Sequence, residues 1–125
     1  MMRRDEETLL EAGWCLVPPE RVFPGLRLVF GDTELSRAYP GLVVGRDGAL
    51  CDRVIDDPTI SQRHCRFSAR EQRLLVEDLN SLNGTRIGAR DLAPFRPTAV
   101  DDGATLLLGR LKLVAQRIAP GGGLR

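Results

Sequence analysis

Three separated groups of residues carry side chains that could act on one ligand: Gly45-Arg46, Ser61-Gln62-Arg63-His64, and Asn80-Ser81-Leu82-Asn83-Gly84-Thr85. Together they offer a guanidinium, a hydroxyl, a side-chain amide and a turn of backbone N–H groups. That set suits an anion, and a phosphate monoester above all. A phosphothreonine brings a charge of about −1.5 to −2 and three acceptor oxygens. Arg46 can donate two parallel bonds to it, fixing charge and orientation together. The Ser61 hydroxyl adds a neutral donor. Backbone N–H groups of the Asn80–Gly84 turn can form a small concave anion site, because Asn and Gly accept left-handed geometry. Asn83 suits a peptide main chain, since its amide both donates and accepts. Hydrogen bonds to charged groups contribute about 1.5–3 kcal/mol each, so three or four supply on the order of 5–10 kcal/mol gross. Association costs several kcal/mol of that, and a micromolar dissociation constant, about 8 kcal/mol, is the expectation.

Each segment also has a plainer reading. Arg46 alone is a solvated arginine after a strand, Ser61 alone a turn serine, and Asn83-Gly84 alone a hairpin turn. His64 beside Cys65, with Cys15 and Cys51 elsewhere, suggests zinc only until the spacing is read: no C-x-x-C pair is present. Ser61, His64 and Asp78 suggest a catalytic triad, yet no nucleophile-elbow motif surrounds the serine. The sequence therefore predicts no catalytic residue, no metal and no cofactor.

Elements that would position these groups lie between residues 25 and 119. Short apolar runs recur there between turn residues: Leu26–Phe30 before Gly31-Asp32, Leu42–Val44 before Gly45, alternating Cys65–Ser68, Leu74–Leu79, Thr85–Ile87 before Gly88, Thr105–Leu108 before Gly109, and Leu111–Val114. Many short strands at frequent turns predict a sandwich or barrel, and no helix-length period competes. All three groups fall at strand ends, where a sandwich gathers its loops. Residues 1–24 read as an N-terminal arm, acidic at Asp5-Glu6-Glu7 and closed by Pro18-Pro19 and Pro24. Residues 120–125 read as a flexible Gly-rich tail or the start of a linker.

The 125 residues suffice for one domain, and 42% hydrophobic content supports a modest core that must rest on Leu, Val and Ile, because aromatics are only 5%. A net charge of +1 offers no broad basic surface, which argues against general nucleic-acid binding. Of 18 cationic residues only Lys112 is lysine. Arginine is the better bidentate phosphate ligand, although genome base composition produces the same skew. Three cysteines make a poor disulfide framework. Neither a signal-peptide run nor a transmembrane-length stretch is present, so a cytoplasmic protein without membrane contact is expected.

The ordered set Gly45-Arg46, Asp52, Ile60-Ser61-x-x-His64 and Asp78-Leu79-Asn80-Ser81-x-Asn83-Gly84-Thr85 resembles a forkhead-associated (FHA) domain over roughly residues 26 to 118. The resemblance implies an all-β sandwich of about eleven short strands that recognises phosphothreonine through loops at one end. By position it implies that Arg46 and Ser61 contact the phosphate and that Asn83 holds the peptide main chain. His64 would brace the Ser61 loop, Gly45 and Gly84 would permit tight turns, and Thr85 would support the loop from behind. Two positions depart from the family. Gln62 stands where a basic residue or Asn is frequent, and can donate only without charge. Leu82 stands where Ser or Thr is frequent, so only its backbone N–H can serve a ligand. Both departures bear on affinity more than on fold.

The expected function is recruitment of a partner carrying phosphothreonine, placed there by a Ser/Thr kinase. Two rivals share the fold: a scaffold whose binding needs no phosphate, favoured by Gln62 and Leu82, and a regulatory piece of a larger enzyme or secretion apparatus joined through the Gly-rich tail. Thr8 has a structural reading as a capping-box residue with Glu11 three positions on. The sharper reading makes Thr8 a phosphosite that folds back onto the domain's own pocket at high effective concentration.

Overall fold

The computed structural model describes residues 11–20 and 25–120; Thr8 lies outside them. Along the chain come β1 (Gly13–Val17), β2 (Leu28–Gly31), the short helix α1 (Asp32–Arg37), β3 (Leu42–Gly45), β4 (Arg53–Val54) and β5 (Cys65–Arg70). There follow β6 (Arg73–Asp78), β7 (Thr85–Ile87), β8 (Arg90–Asp91), β9 (Thr98–Val100), β10 (Thr105–Leu108) and β11 (Leu111–Ile118). Six strands form one sheet in the order β2-β1-β11-β10-β7-β8, and five form the other in the order β4-β3-β5-β6-β9. Neighbours are antiparallel throughout except for the parallel pair β3–β4.

The two sheets pack face to face because their strands alternate. In β5, Cys65 and Phe67 are buried while Arg66 and Ser68 are half-exposed; in β6, Leu74, Val76 and Asp78 point inward. Leu106 and Leu108 of β10 and Leu113 and Ala115 of β11 meet them from the opposite sheet. Phe30 and Phe67 join the layers at a ring-centroid distance of 5.2 Å. These two rings sit at the centre of a largely aliphatic core. Among the described residues no helix is long and apolar enough to cross a membrane.

The short strands β4, β8 and β9 fall outside the apolar runs of the sequence, and two further elements differ from the sequence reading. Residues 13–17, assigned above to an arm, form a central strand that is buried at every position and paired with β2 on one side and β11 on the other. Trp14 and Leu16 face the main core, whereas Cys15 and Val17 join Ile118 and Val29 on the other face. A strand buried on both faces loses its alternation. The prolines at 18 and 19 follow this strand and end it, since proline cannot donate to a ladder. The domain therefore begins no later than Gly13, not at residue 25. The second difference is α1, whose six residues are too few to show a helical period. It is fixed by tertiary partners: Arg117 clamps Asp32 with two bonds of 2.7 Å, and Arg53 reaches both Glu34 oxygens at 2.5 and 2.6 Å.

Candidate functional site

Four connections meet at one end of the sandwich: β3–β4, β4–β5, β6–β7 and β10–β11. Segment 59–61 of the β4–β5 connection is the axis on which the others are hung. The Thr59 carbonyl accepts the Asn83 side-chain amide at 2.9 Å, and the Ile60 carbonyl accepts Arg46 Nε at 2.9 Å. The Ser61 carbonyl accepts the Arg46 backbone N–H at 3.0 Å. Arg46, Ser61 and Asn83 are thereby brought to one rim.

Gly45, at the end of β3, is there for close approach. A Cβ on it would lie 2.3 Å from the Gln62 carbonyl oxygen and 2.9 Å from Cys51 Sγ. Only glycine lets the Ser61–Gln62 strand-end loop lie this near, and the Asp47 N–H then reaches the Gln62 carbonyl at 3.2 Å. The same carbonyl takes the Cys51 thiol at 2.9 Å. Asp52 closes the β3–β4 connection, its carboxylate accepting the Val43 N–H at 2.8 Å. With Nε committed to Ile60, the exposed Arg46 guanidinium has a set orientation. Its two terminal nitrogens have no partner among the described residues.

Ser61 is defined by what it accepts. Its hydroxyl oxygen receives the Leu82 N–H at 2.9 Å, which leaves the hydroxyl hydrogen free to donate outward. This overturns one expectation: the Leu82 N–H is spent inside the protein, so position 82 offers a ligand only a side chain, 88% exposed. Of the five N–H groups expected to line the Asn80–Gly84 turn, two more are likewise committed. Ser81 N–H goes to Asp78 Oδ2 at 3.1 Å and Gly84 N–H to Ser81 Oγ at 3.0 Å. Gln62 is exposed, and its side chain has no partner among the described residues.

His64 is fully buried behind this rim and tied at both ring nitrogens. Nδ1 accepts the Ser61 N–H at 3.1 Å, which requires the hydrogen to sit on Nε2, and Nε2 donates to the Gly84 carbonyl at 2.9 Å. The ring is neutral in this role. Burial pushes its pKa below the ordinary histidine value, against the opposing pulls of the Gly84 carbonyl and Asp78. With no ring nitrogen directed at the Ser61 hydroxyl, the residues do not form a nucleophile–base pair.

Asp78 was quoted in the motif but given no positioning role, and the structure makes it the organiser of the β6–β7 turn. Buried to 2% exposure, its carboxylate accepts Ser81 Oγ at 2.5 Å, the Ser81 N–H, and Thr85 Oγ1 at 2.7 Å. Asn80 and Gly84 adopt left-handed φ of 61° and 84°, so the turn folds back sharply enough to present Leu82 and Asn83 at its tip. Thr59 also went unnoticed. Asp57 accepts its N–H at 2.8 Å and its hydroxyl at 2.6 Å. The Thr59 hydroxyl, then its N–H, hold the Asp57 carboxyl below its ordinary pKa. The Asp57-x-Thr59 spacing of an Asx turn was the available signal. The sequence reading places a turn at Gly109 without joining it to the site, although Gly109-Arg110 repeats the strand-end doublet Gly45-Arg46.

Burial raises the thiol pKa of Cys65. Each ring nitrogen of His64 is already occupied, and among the described residues no group of three His, Cys, Asp or Glu side chains is placed to hold a metal ion.

Comparison with known proteins gives concordant results. The chain is 32% identical over 94 residues to an FHA domain-containing protein of Arabidopsis thaliana, covering 70% of this chain but only 24% of that relative. Its fold is similar to the FHA domain of CT664 from Chlamydia trachomatis, at a TM-score of 0.66 and 20% identity over 83% of this chain and 96% of that one. It is similar too to the MEK1 FHA domain in complex with a HOP1 phosphothreonine peptide, at a TM-score of 0.60 and 22% identity over 82% and 94% of the two chains. The family model for the FHA domain matches residues 42–109, from the first strand residue of β3 to the turn after β10. The chain belongs to the FHA domain family.

Proposed function

We propose that this domain binds phosphothreonine in a partner protein and so acts downstream of a Ser/Thr kinase, in the cytoplasm. The observation that carries the reading is the donor set on one rim. Arg46 is aimed by its Nε bond to the carbonyl of Ile60, the residue before Ser61, and neither its two terminal nitrogens nor the Ser61 hydroxyl hydrogen has a partner among the described residues. The guanidinium supplies charge and a planar fork, the hydroxyl a short neutral bond, and Asn83 a remaining amide hydrogen and oxygen for the peptide main chain. The phosphothreonine peptide bound by the MEK1 FHA domain supports the same chemistry.

Fluorescence titration with matched phosphothreonine and threonine peptide libraries tests this. The expected result is phosphate-dependent binding in the micromolar range, the regime of three or four charge-assisted bonds offset by association entropy. Arg46→Ala should weaken it by about 2–4 kcal/mol, roughly 30- to 1,000-fold, while leaving thermal stability near that of the parent protein. Equal binding of both libraries refutes the reading.

A second reading is favoured by one observation: Leu82 stands 88% exposed at the turn tip and its N–H is spent on Ser61. On that reading the same rim binds its partner through apolar contact and needs no phosphate. Raising ionic strength weakens a phosphate contact and spares an apolar one, which separates the two. As the chain spans about a quarter of the Arabidopsis relative's length, we extend the proposal to a binding module that can serve within a larger protein.

A further inference from the structure

The β10–β11 turn is bonded to the ligand rim on both sides. Gly109 N–H donates to the Gly84 carbonyl at 3.0 Å, the same oxygen that His64 holds, and Arg110 N–H donates to Thr59 Oγ1 at 3.0 Å. Gly109 has a left-handed φ of 59°, and a Cβ on it would come within 2.4 Å of the Thr59 carbonyl oxygen. That carbonyl is the one that accepts the Asn83 amide at 2.9 Å. The backbone of residues 109–110 is therefore a direct neighbour of Asn83, and it cannot move away without breaking bonds to two other loops.

From this fixed base the Arg110 side chain projects into solvent. It has no ion-pair or hydrogen-bond partner among the described residues. Arg53, Arg66, Arg86 and Arg117 each pair with an acid elsewhere on the domain. Asp57, a carboxylate of the same β4–β5 connection as Thr59, is committed to Thr59. A solvated turn arginine is the usual reading of such a residue. Here the turn is anchored at both residues, which fixes the Arg110 backbone relative to Asn83 and leaves an unpaired cation within side-chain reach of the rim.

We propose that Arg110 is a specificity-determining residue that takes a second anionic side chain of the bound peptide, a carboxylate or a second phosphate, beside the phosphothreonine. The inference rests on the phosphothreonine reading above. A peptide advances roughly 3.3 Å per residue when extended, so a main chain held at Asn83 brings a side chain within a few residues of the phosphothreonine to Arg110. The partner class is thus an acidic phosphothreonine segment.

The test uses the full chain and a set of phosphothreonine peptides of one parent sequence. In each, a single flanking position carries Asp, its neutral isostere Asn, or phosphoserine, and an unphosphorylated peptide is the control. At one or two positions the Asp or phosphoserine peptide should bind about 3- to 5-fold tighter than the Asn peptide, the range for a rim-exposed charge pair. Which of the two anions gains more identifies the source of the second charge. In Arg110→Ala the ratio should fall to about 1, and in Arg110→Glu below 1, with unfolding temperatures near the parent's because the exposed side chain has no bonded partner among the described residues. A ratio that stays the same in both variants, or equals 1 at every position in the parent protein, overturns the role of Arg110 alone. Equal binding of phosphorylated and unphosphorylated peptides overturns the phosphothreonine reading with it.

Discussion

Acidification should destabilise this domain through one buried ring. His64 is the single histidine of the chain, so a titration between pH 7 and 5 is read without interference from another imidazole. Its neutral form accepts the Ser61 N–H at Nδ1, 3.1 Å away, and donates to Gly84 from Nε2. Protonation puts a hydrogen on Nδ1 and sets two donors against each other in a site with no water access. Burial already disfavours the cation, and the folded-state pKa lies below the ordinary value of 6.5. A base whose pKa is depressed on folding binds fewer protons folded than unfolded. Its stability contribution is therefore complete above pH 6.5, declines as pH falls below it, and is exhausted once pH passes the folded-state pKa. The slope in this window cannot exceed about 1.4 kcal/mol per pH unit for one proton. Asp57, also held low, acts in a separate range: its contribution is lost only as pH falls below the ordinary carboxylate value of 3.8. Urea unfolding at half-unit steps from pH 7.5 to 5, with the imidazole followed by NMR, measures both sides of the linkage. The unfolding free energy is expected to fall across the window, with a slope below that bound. An imidazole that titrates at or above 6.5, or a flat stability profile, refutes the assignment of Nδ1 as an acceptor. Stability is the right readout, because the second ionisation of a phosphopeptide, near pH 6, would obscure a binding curve.

Two further outcomes follow from the way the loops are joined. Gly45→Ala places a methyl group 2.3 Å from the Gln62 carbonyl; overpacking of this kind costs about 1–3 kcal/mol, and phosphopeptide affinity should fall with it because Ser61 moves relative to Arg46. Denaturant midpoints and a peptide titration check both, and an unaffected affinity would show that the approach of the two loops is not needed. Asp78→Asn keeps the shape but turns a donor toward Ser81 or Thr85, whose hydroxyls sit at 2.5 and 2.7 Å from one carboxylate oxygen. A loss of about 2–3 kcal/mol is expected, together with faster amide exchange at Ser81 and Gly84.

Local sequence carried β2, β3, β5, β6, β7, β10 and β11, whose apolar runs between turn residues need no knowledge of the partner strand, whereas β4, β8 and β9, of two or three residues each, are too short to show a pattern. The ordered motifs likewise carried the family and pointed to Arg46, Ser61 and Asn83 as one group. β1 escaped because burial on both faces erases the alternation by which a strand is recognised, and α1 because six residues complete no repeat. The roles of the backbone donors at Leu82, Ser81 and Gly84 escaped too. Each depends on which acceptor the fold brings near, not on residue type.

What the sequence by itself determined is the chemistry available: one arginine at a strand end, one hydroxyl, one amide, one histidine, in an order that defines the family. What only the tertiary structure decided is which of those groups remain free. Leu82 bonds Ser61 across 21 residues, Asn83 bonds Thr59 across 24, and Arg110 bonds Thr59 across 51. Such pairings arise when two sheets close on a common core. They leave the Arg46 terminal nitrogens, the Ser61 hydroxyl hydrogen and the Arg110 guanidinium without a partner among the described residues.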